Sequence, residues 1–305
     1  MQELIERARG LIAALPYIQR FRGRTFLIKY GGHAMLSPEL REGFAQDIVL
    51  LQAVGINPVV VHGGGPQINQ LIDRLGLKSS FVRGMRVTDA PTMEAVEMVL
   101  QKISKEIVAE LSRQGGRAVG LSGKDGDLIV ARKMKIVVKD EKGRRTEVDV
   151  GLVGEVAEIN LAVLGALRDA GFIPVIAPIG HGRAGETYNI NADVAAGEIA
   201  GALKAEKLIL LTDVEGVKDE KGKLIPSLDA ARAKKMIASG TIGEGMIPKV
   251  ECCLNALNAG VARAHVVDGQ AAHVVLQTVF SEEGVGTEVI QRATRPSVRG
   301  KPAVA

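Results

Sequence analysis

Hydrophobic and polar positions follow two rhythms along this chain. Short apolar runs rich in β-branched residues recur at Thr25–Tyr30, Val59–Val61, Phe172–Ile179, Lys207–Leu211 and Ala264–Val267. Runs of this length and composition read as buried strands. Between them, apolar residues return every third or fourth position, the period of a helix packed on one face. Ser37-Pro38-Glu39 supplies an N-cap and a first-turn proline for a helix reaching about Val54. Thr88 or Asp89 can cap a long helix from Pro91 to Ser112, and further helices are predicted over Leu161–Ala170, Val194–Leu203, Ala230–Ala238 and Pro248–Ala259. Strands alternating with helices predict an α/β protein with a mainly parallel sheet. Residues 117–156 break the rhythm. They read as short strands and hairpins, with a turn at Lys139–Gly143, of the kind that forms a lid or rim.

Two strands end in glycines. Lys29-Tyr30-Gly31-Gly32 closes the first, and Val59–Val61 runs into His62-Gly63-Gly64-Gly65 followed by a helical pattern. Adjacent glycines stabilise neither helix nor strand. They permit a sharp turn and a close approach to the backbone. The plain reading is a tight strand-to-helix turn. The functional reading is an anion site built from free amides and the positive end of a helix dipole. In a parallel sheet both loops fall at the carboxyl edge, where ligands bind. Of Arg83 and Arg86, in a short loop before the long helix, one is predicted to be solvated and one aimed at this cleft. At His181–Asp193 the composition turns polar and then the alternation restarts. The predicted division is therefore an N-terminal helix over 1–24, one domain over 25–180 and a second over 181–305.

The N-terminal stretch has its own stripe: Leu4, Ile5, Ala8, Leu11, Ile12 and Leu15 at helical spacing. That stripe must be buried either on its own domain or against another subunit. The segment carries acids early and lacks the form of a signal peptide. No apolar run approaches the ~20 residues of a membrane span.

Composition narrows the chemistry. The net charge is +4 with no dense basic run, and aromatic content is 3% with no Trp, so neither charge nor stacking points to nucleic acid. The two cysteines, Cys252 and Cys253, are adjacent within a helical pattern, which suits packed free thiols in a reducing, cytoplasmic compartment. Five histidines are scattered, and no metal site is predicted. The P-loop, protein-kinase and nucleophile-elbow signatures are all absent. What remains at strand ends and helix starts is glycine loops, two lysines, one acid and some amides. That inventory suits electrostatic stabilisation of a very negative reacting group, as in phosphoryl transfer.

The motifs IKYGG, VVVHGGGPQIN, GMRVTD, YNINAD, LLTDVEGV and GMIPKVE, in this order from about Phe26 to Ile290, resemble the amino acid kinase family. Within it they are most similar to the branch that acts on N-acetyl-L-glutamate in arginine biosynthesis. The resemblance implies a three-layer αβα sandwich with a mainly parallel central sheet. It implies ATP-dependent phosphorylation of the substrate γ-carboxylate, with Mg²⁺ carried on the ATP phosphates. It makes the 25–180 domain the amino-acid domain and the 181–305 domain the nucleotide domain. Lys29 and Lys249 match the lysines that neutralise the transferring phosphoryl group, and Asp193 matches the acid that holds both. Gly31 and Gly32 would present amides to phosphate, while Gly64 and Gly65 would hold the attacking carboxylate. Arg86 would pair with the α-carboxylate and Asn189 with the substrate's polar end. Thr212, Asp213, Gly243 and Gly245 would surround the nucleotide, with Glu244 turned outward. An ionised carboxylate needs no general base, so His62 is left as a structural residue. Within the family, carbamate, glutamate or aspartate are the rival substrates. Outside it, the rival is a non-catalytic nucleotide- or arginine-sensing module.

The same resemblance extends to regulation. The N-terminal helix is similar to that of the arginine-inhibited, hexameric branch, in which such helices interlace between dimers. Tyr17, His265 and Asp268 match its arginine-responsive segments. Where that branch carries an acid, this chain has Thr278. The expectation is a homo-oligomer, a hexamer whose dimers are joined by the helix, with weakened arginine inhibition. The sequence identifies no regulatory protein partner.

Overall fold

The computed structural model describes residues 2–139, 145–243, 245–281 and 284–291. In chain order the elements are α1 (Gln2–Phe21), β1 (Thr25–Tyr30), α2 (Pro38–Ala53), β2 (Asn57–His62), α3 (Gly65–Arg74), β3 (Phe81–Val82), β4 (Met85–Arg86), α4 (Ala90–Arg113) and β5 (Ala118–Ser122). Then come β6 (Ile129–Lys133), β7 (Ile136–Lys139), β8 (Arg145–Val148), β9 (Gly154–Ile159), α5 (Ala162–Asp169), β10 (Ile173–Ala177), β11 (Ile179–His181), β12 (Thr187–Asn189) and α6 (Ala192–Ala202). The chain continues through β13 (Lys207–Thr212), β14 (Ser227–Asp229), α7 (Ala230–Ala238), α8 (Ile247–Asn258), β15 (Arg263–Asp268), α9 (Val274–Phe280) and β16 (Thr287–Ile290).

One eight-stranded sheet organises the chain, in the order β14-β16-β15-β13-β1-β2-β10-β5. Its ladders are parallel except β15–β16. Side chains alternate across it. Phe26, Ile28 and Tyr30 of β1 join the core under α2, α4 and α9, whereas Leu27 joins the core under α5, α6 and α8. Helices therefore cover both faces, giving the expected αβα sandwich. The two chain halves meet at β1–β13, a parallel ladder from Phe26↔Lys207 to Lys29↔Leu210. The sheet is continuous across that seam. Residue 181, where the composition turns polar, closes β11, which hairpins onto β12.

Two sequence expectations need correction. Ala118–Ser122 is no rim hairpin: β5 is the parallel edge strand of the main sheet beside β10. The 24-residue α4 is the crossover that carries the chain there. Phe172–Ile179 is not one strand. It divides at Pro178, which has no N–H to donate to a ladder. β10 stays in the main sheet, and β11 enters a second sheet, β12-β11-β6-β9, that overhangs its carboxyl edge. The rim reading holds for β6 and β9, and for the separate β7–β8 pair. The turn at residues 140–143 lies outside the described residues. The strands β14 and β16 and the helix α9 carry too short a pattern to be legible in advance.

On α1, Leu11 and Ile12 are 75% and 68% exposed, and Leu4, Ile5 and Leu15 are exposed with them. The stripe is not buried on its own domain. The helix is fastened near its end, where Phe21 is buried against Phe26 and Tyr17 meets Phe280 of α9 edge-on at 6.4 Å.

Candidate active site

Alternation along β1 decides where Lys29 goes. It follows Leu27 onto the sheet face covered by α6. Helix α6 starts there because Asn191 caps it, its side chain accepting from the amides of Asp193 and Val194. Asp193 is thus fixed in the first helical turn, with its carboxylate over the end of β1. Lys29 Nζ lies 3.0 Å from Asp193 Oδ1, and Lys249 Nζ of α8 donates to Asp193 Oδ2 at 3.3 Å. One nearly buried carboxylate so joins two lysines from distant parts of the chain. Burial pushes the Asp193 carboxyl up, but the two ammonium groups outweigh it and hold the group below the usual carboxylate range.

The two glycine loops adjoin this triad. A cleft of about 230 Å³ is lined by Lys29, Gly31, Gly32, Gly63–Gly65, Arg86, Asn189 and Asp193 among others. A Cβ on Gly31 would stand 3.1 Å from Lys29 Nζ, so a side chain there would crowd the lysine. Gly32 takes the left-handed φ of +71°. A Cβ on Gly64 would drive into Ile103 and Leu100 at 2.7 and 2.9 Å. Gly64 is the N-cap of α3 and offers no capping side chain, which leaves the first amides of that helix facing the cleft. His62 is fully buried below them, its ring bonded to the Gly63 carbonyl at 2.9 Å. Burial pushes its pKa down to about 4, so it is neutral at pH 7 and has a structural part.

At the far end of the cleft Arg86 is buried on β4, and Arg83 is exposed. Arg86 donates to Asn69 Oδ1 at 2.7 Å and to Ser79 Oγ at 2.5 Å, and it stacks under Phe81 at 4.7 Å. Asn189 donates to Thr88 Oγ1 at 3.3 Å, and Thr88 in turn donates to the Arg86 carbonyl. Asn69 and Thr88 fall inside the motifs VVVHGGGPQIN and GMRVTD, but nothing in the sequence links either to Arg86 or Asn189, and Ser79 and Phe81 lie outside both motifs. Asn191 had a legible signal, an Asn two residues before an acid at a helix start.

The remaining predicted residues lie elsewhere. Thr212, Asp213, Gly243 and Gly245 do not line the cleft. Thr212 is buried at the end of β13 and its hydroxyl accepts from the Val214 amide. Asp213 Oδ1 accepts from the His33 amide at 2.8 Å and lies 3.1 Å from its ring, so it clasps the loop that holds Gly31 and Gly32. Gly243 and Gly245 are exposed before α8, and Glu244 lies outside the described residues. His265 is buried on β15 beneath α9, with burial pushing its pKa down to about 3. By alternation Asp268 faces the opposite side of the sheet from His265. Beside His265, Lys207 is buried, donates to the Thr278 carbonyl at 2.8 Å and has its pKa pushed down to about 8 by burial. Its position in a strand gave no hint of this. Among the described residues no group of three or more His, Cys, Asp or Glu could hold a metal, and Asp193 is already committed to two ammonium groups. The donor set does not fit a protein-held metal. No described helix is long and apolar enough to cross a membrane.

A family model described as the amino acid kinase family matches residues 24–268. The chain belongs to the amino acid kinase family. An acetylglutamate kinase of Geobacter sp. (strain M21) is 57% identical over 290 residues, covering 95% of this chain and 99% of that protein. Within the family, then, the chain groups with the acetylglutamate kinases. Among solved structures, an N-acetylglutamate synthase from Neisseria gonorrhoeae complexed with coenzyme A and N-acetyl-glutamate matches with a TM-score of 0.82 at 26% identity, over 94% of this chain. The same protein complexed with coenzyme A and L-arginine matches with a TM-score of 0.78 at 26% identity, also over 94% of this chain. This chain spans 64% and 66% of those longer chains.

The buried histidines set a pH dependence. Between pH 7 and 5 an unfolded histidine takes up a proton, whereas native His62 and His265, with pKa values of about 4 and about 3, do not. Stability therefore falls on acidification through this window, by up to ~1.4 kcal/mol per pH unit for each histidine. Urea unfolding at pH 7 and pH 5 measures the slope. His265→Asn should roughly halve it, and equal stability at the two pH values would contradict the assignment.

Proposed function

We propose that this chain transfers the γ-phosphoryl group of ATP to the γ-carboxylate of N-acetyl-L-glutamate, in the cytoplasm, as a step of arginine biosynthesis. The observation that carries the reading is the Lys29–Asp193–Lys249 triad set beside two adjacent glycine loops. The acetylglutamate kinase relative supports the substrate.

The chemistry follows from charge. A carboxylate with a pKa of about 4.3 is ionised at neutral pH and attacks without a base. An oxygen of that carboxylate bonds to the γ-phosphorus as the bridging bond to the β-phosphate breaks, leaving ADP. The barrier is the approach of one anion to another. Lys29 and Lys249 offset charge on the transferring group, and sharing one carboxylate leaves the triad with a net positive charge to do so. The Gly31 and Gly32 amides face phosphate. Gly64, Gly65 and the start of α3 hold the attacking carboxylate. Arg86 takes the α-carboxylate with a planar fork already oriented by Asn69 and Ser79, and Asn189 takes the substrate's remaining polar end. Thr212, Asp213, Gly243 and Gly245 border the nucleotide, the first two at the end of β13 and the glycines before α8. The nucleotide's phosphates would supply oxygen ligands for Mg²⁺, since among the described residues no group of three or more His, Cys, Asp or Glu could hold it.

Hydroxylamine trapping of the acyl phosphate tests this with N-acetyl-L-glutamate, glutamate, aspartate and carbamate in parallel. Product with N-acetyl-L-glutamate is expected, and no turnover with it would overturn the reading. Lys249→Ala should lower kcat by roughly 10²-fold or more with little change in KM, as for a contact made mainly in the transition state.

The regulatory reading also belongs here. The exposed α1 stripe suits a second copy of the chain, with dimers joined into a hexamer. Tyr17 and His265 adjoin α9 in the region where arginine would act, with Asp268 at the end of the same strand β15 but on its other face, and the match to the L-arginine complex supports this region. Thr278 carries no charge and turns its hydroxyl onto the Val274 carbonyl at 2.7 Å, so it gives a cationic ligand no carboxylate. Arginine inhibition should be weak in the natural chain and at least about tenfold tighter in Thr278→Glu, the scale of one charged hydrogen bond. Half-inhibition at the same arginine concentration in both would contradict this.

A further inference from the structure

Helix α6 carries glycines at 197 and 201, four residues apart and so on one face. Both face α8. A Cβ on Gly197 would lie 2.8 Å from Cys252 Sγ, and one on Gly201 would lie 2.6 Å from Ala259 Cβ. These two notches set how closely α8 can approach. On α8, Cys252 follows Lys249 by three residues and shares its face. The Cys252 thiol donates to the backbone carbonyl of Asp193 at 2.9 Å. Burial pushes the thiol pKa up to about 12, so the proton needed for that bond is kept. Lys249 therefore meets the carboxylate of Asp193 while Cys252, one turn on, holds the same residue's main chain. The N-cap of α8, Met246, makes no side-chain capping bond of its own.

We propose that Cys252, seated in the notch at Gly197, is a positioning residue that fixes the reach of Lys249 to Asp193. The proposal rests on the phosphoryl-transfer reading above for its effect on rate, though not for its effect on geometry. Cys252 touches no reacting atom. Its removal acts through Lys249, whose displacement by a fraction of an ångström weakens charge neutralisation where it matters most.

Two variants test it, both first checked for native thermal stability. Cys252→Ala removes the donor, and Cys252→Ser restores one. Cys252→Ala should lower kcat at least about tenfold while both KM values stay within about twofold, and Cys252→Ser should recover most of the loss. A purely structural contact would lower the melting temperature and leave the split between kcat and KM untouched. A second readout needs no turnover: the rate at which an amine-reactive reagent labels Lys249 in the substrate-free protein, followed by mass spectrometry. Labelling should be faster in Cys252→Ala than in the natural chain or Cys252→Ser. Should the natural chain fail to phosphorylate N-acetyl-L-glutamate, the functional reading falls and the labelling alone decides this one. Unchanged Lys249 labelling in Cys252→Ala overturns the proposal, as does Cys252→Ser being as slow as Cys252→Ala.

Discussion

A single buried carboxylate holds this site together. Asp193 is nearly inaccessible, and an ionised acid in that position is unfavourable by several kcal/mol unless it is paired. Lys29 and Lys249 supply the pairing from opposite ends of the chain, one on a strand and one on a helix. The dependence runs both ways. Without the carboxylate, two ammonium groups would face each other over the cleft and repel. With it, they are held near one point with a net positive charge to spare. An arrangement that binds a polyanion and favours its most negative state needs little more than this.

Much of the fold serves to make that meeting possible. A parallel sheet brings the ends of β1, β2 and β13 to one edge, and strand alternation sends Lys29 to the face that α6 covers. The Asn191 cap starts α6 where Asp193 must sit. Gly197 and Gly201 let α8 close on α6 and bring Lys249 within reach. The glycines at the ends of β1 and β2 then leave backbone amides open beside the triad. Residues that carry charge and residues that carry none are equally necessary here: the former make the field and the latter set its geometry.

Much of this was legible in the sequence, and the divide has a physical basis. The core strands and long helices announced themselves through periodicity, and Ser37 and Asp89 cap α2 and α4 as their side chains suggested. Glycines next to a lysine at strand ends marked the cleft. Apart from the Lys29–Asp193–Lys249 meeting, which the family resemblance implied, partners drawn from far along the chain were not visible. Arg86 was legible as a candidate, but its support by Asn69, Ser79 and Phe81 depends on tertiary placement. Lys207 sits in a strand where alternation alone would not bury a cation, yet it reaches the Thr278 carbonyl across the α9 interface. Pro178 divided a run that hydropathy read as one strand, since hydropathy does not register a missing N–H. The edge strand β5 was misread because its neighbours in sequence are hairpins, whereas its neighbour in space is β10.

In the proposed reaction Asp193 acts by holding two lysines in place and not by touching the reacting groups. Steady-state kinetics of Asp193→Asn, with N-acetyl-L-glutamate and ATP each varied, tests it most directly. The substitution keeps the size of the side chain and removes its charge. A kcat lowered by about 10²-fold or more, with KM for both substrates changed only a few-fold and the fold intact, is the predicted result. A variant that keeps kcat within about twofold of the natural chain would contradict the account.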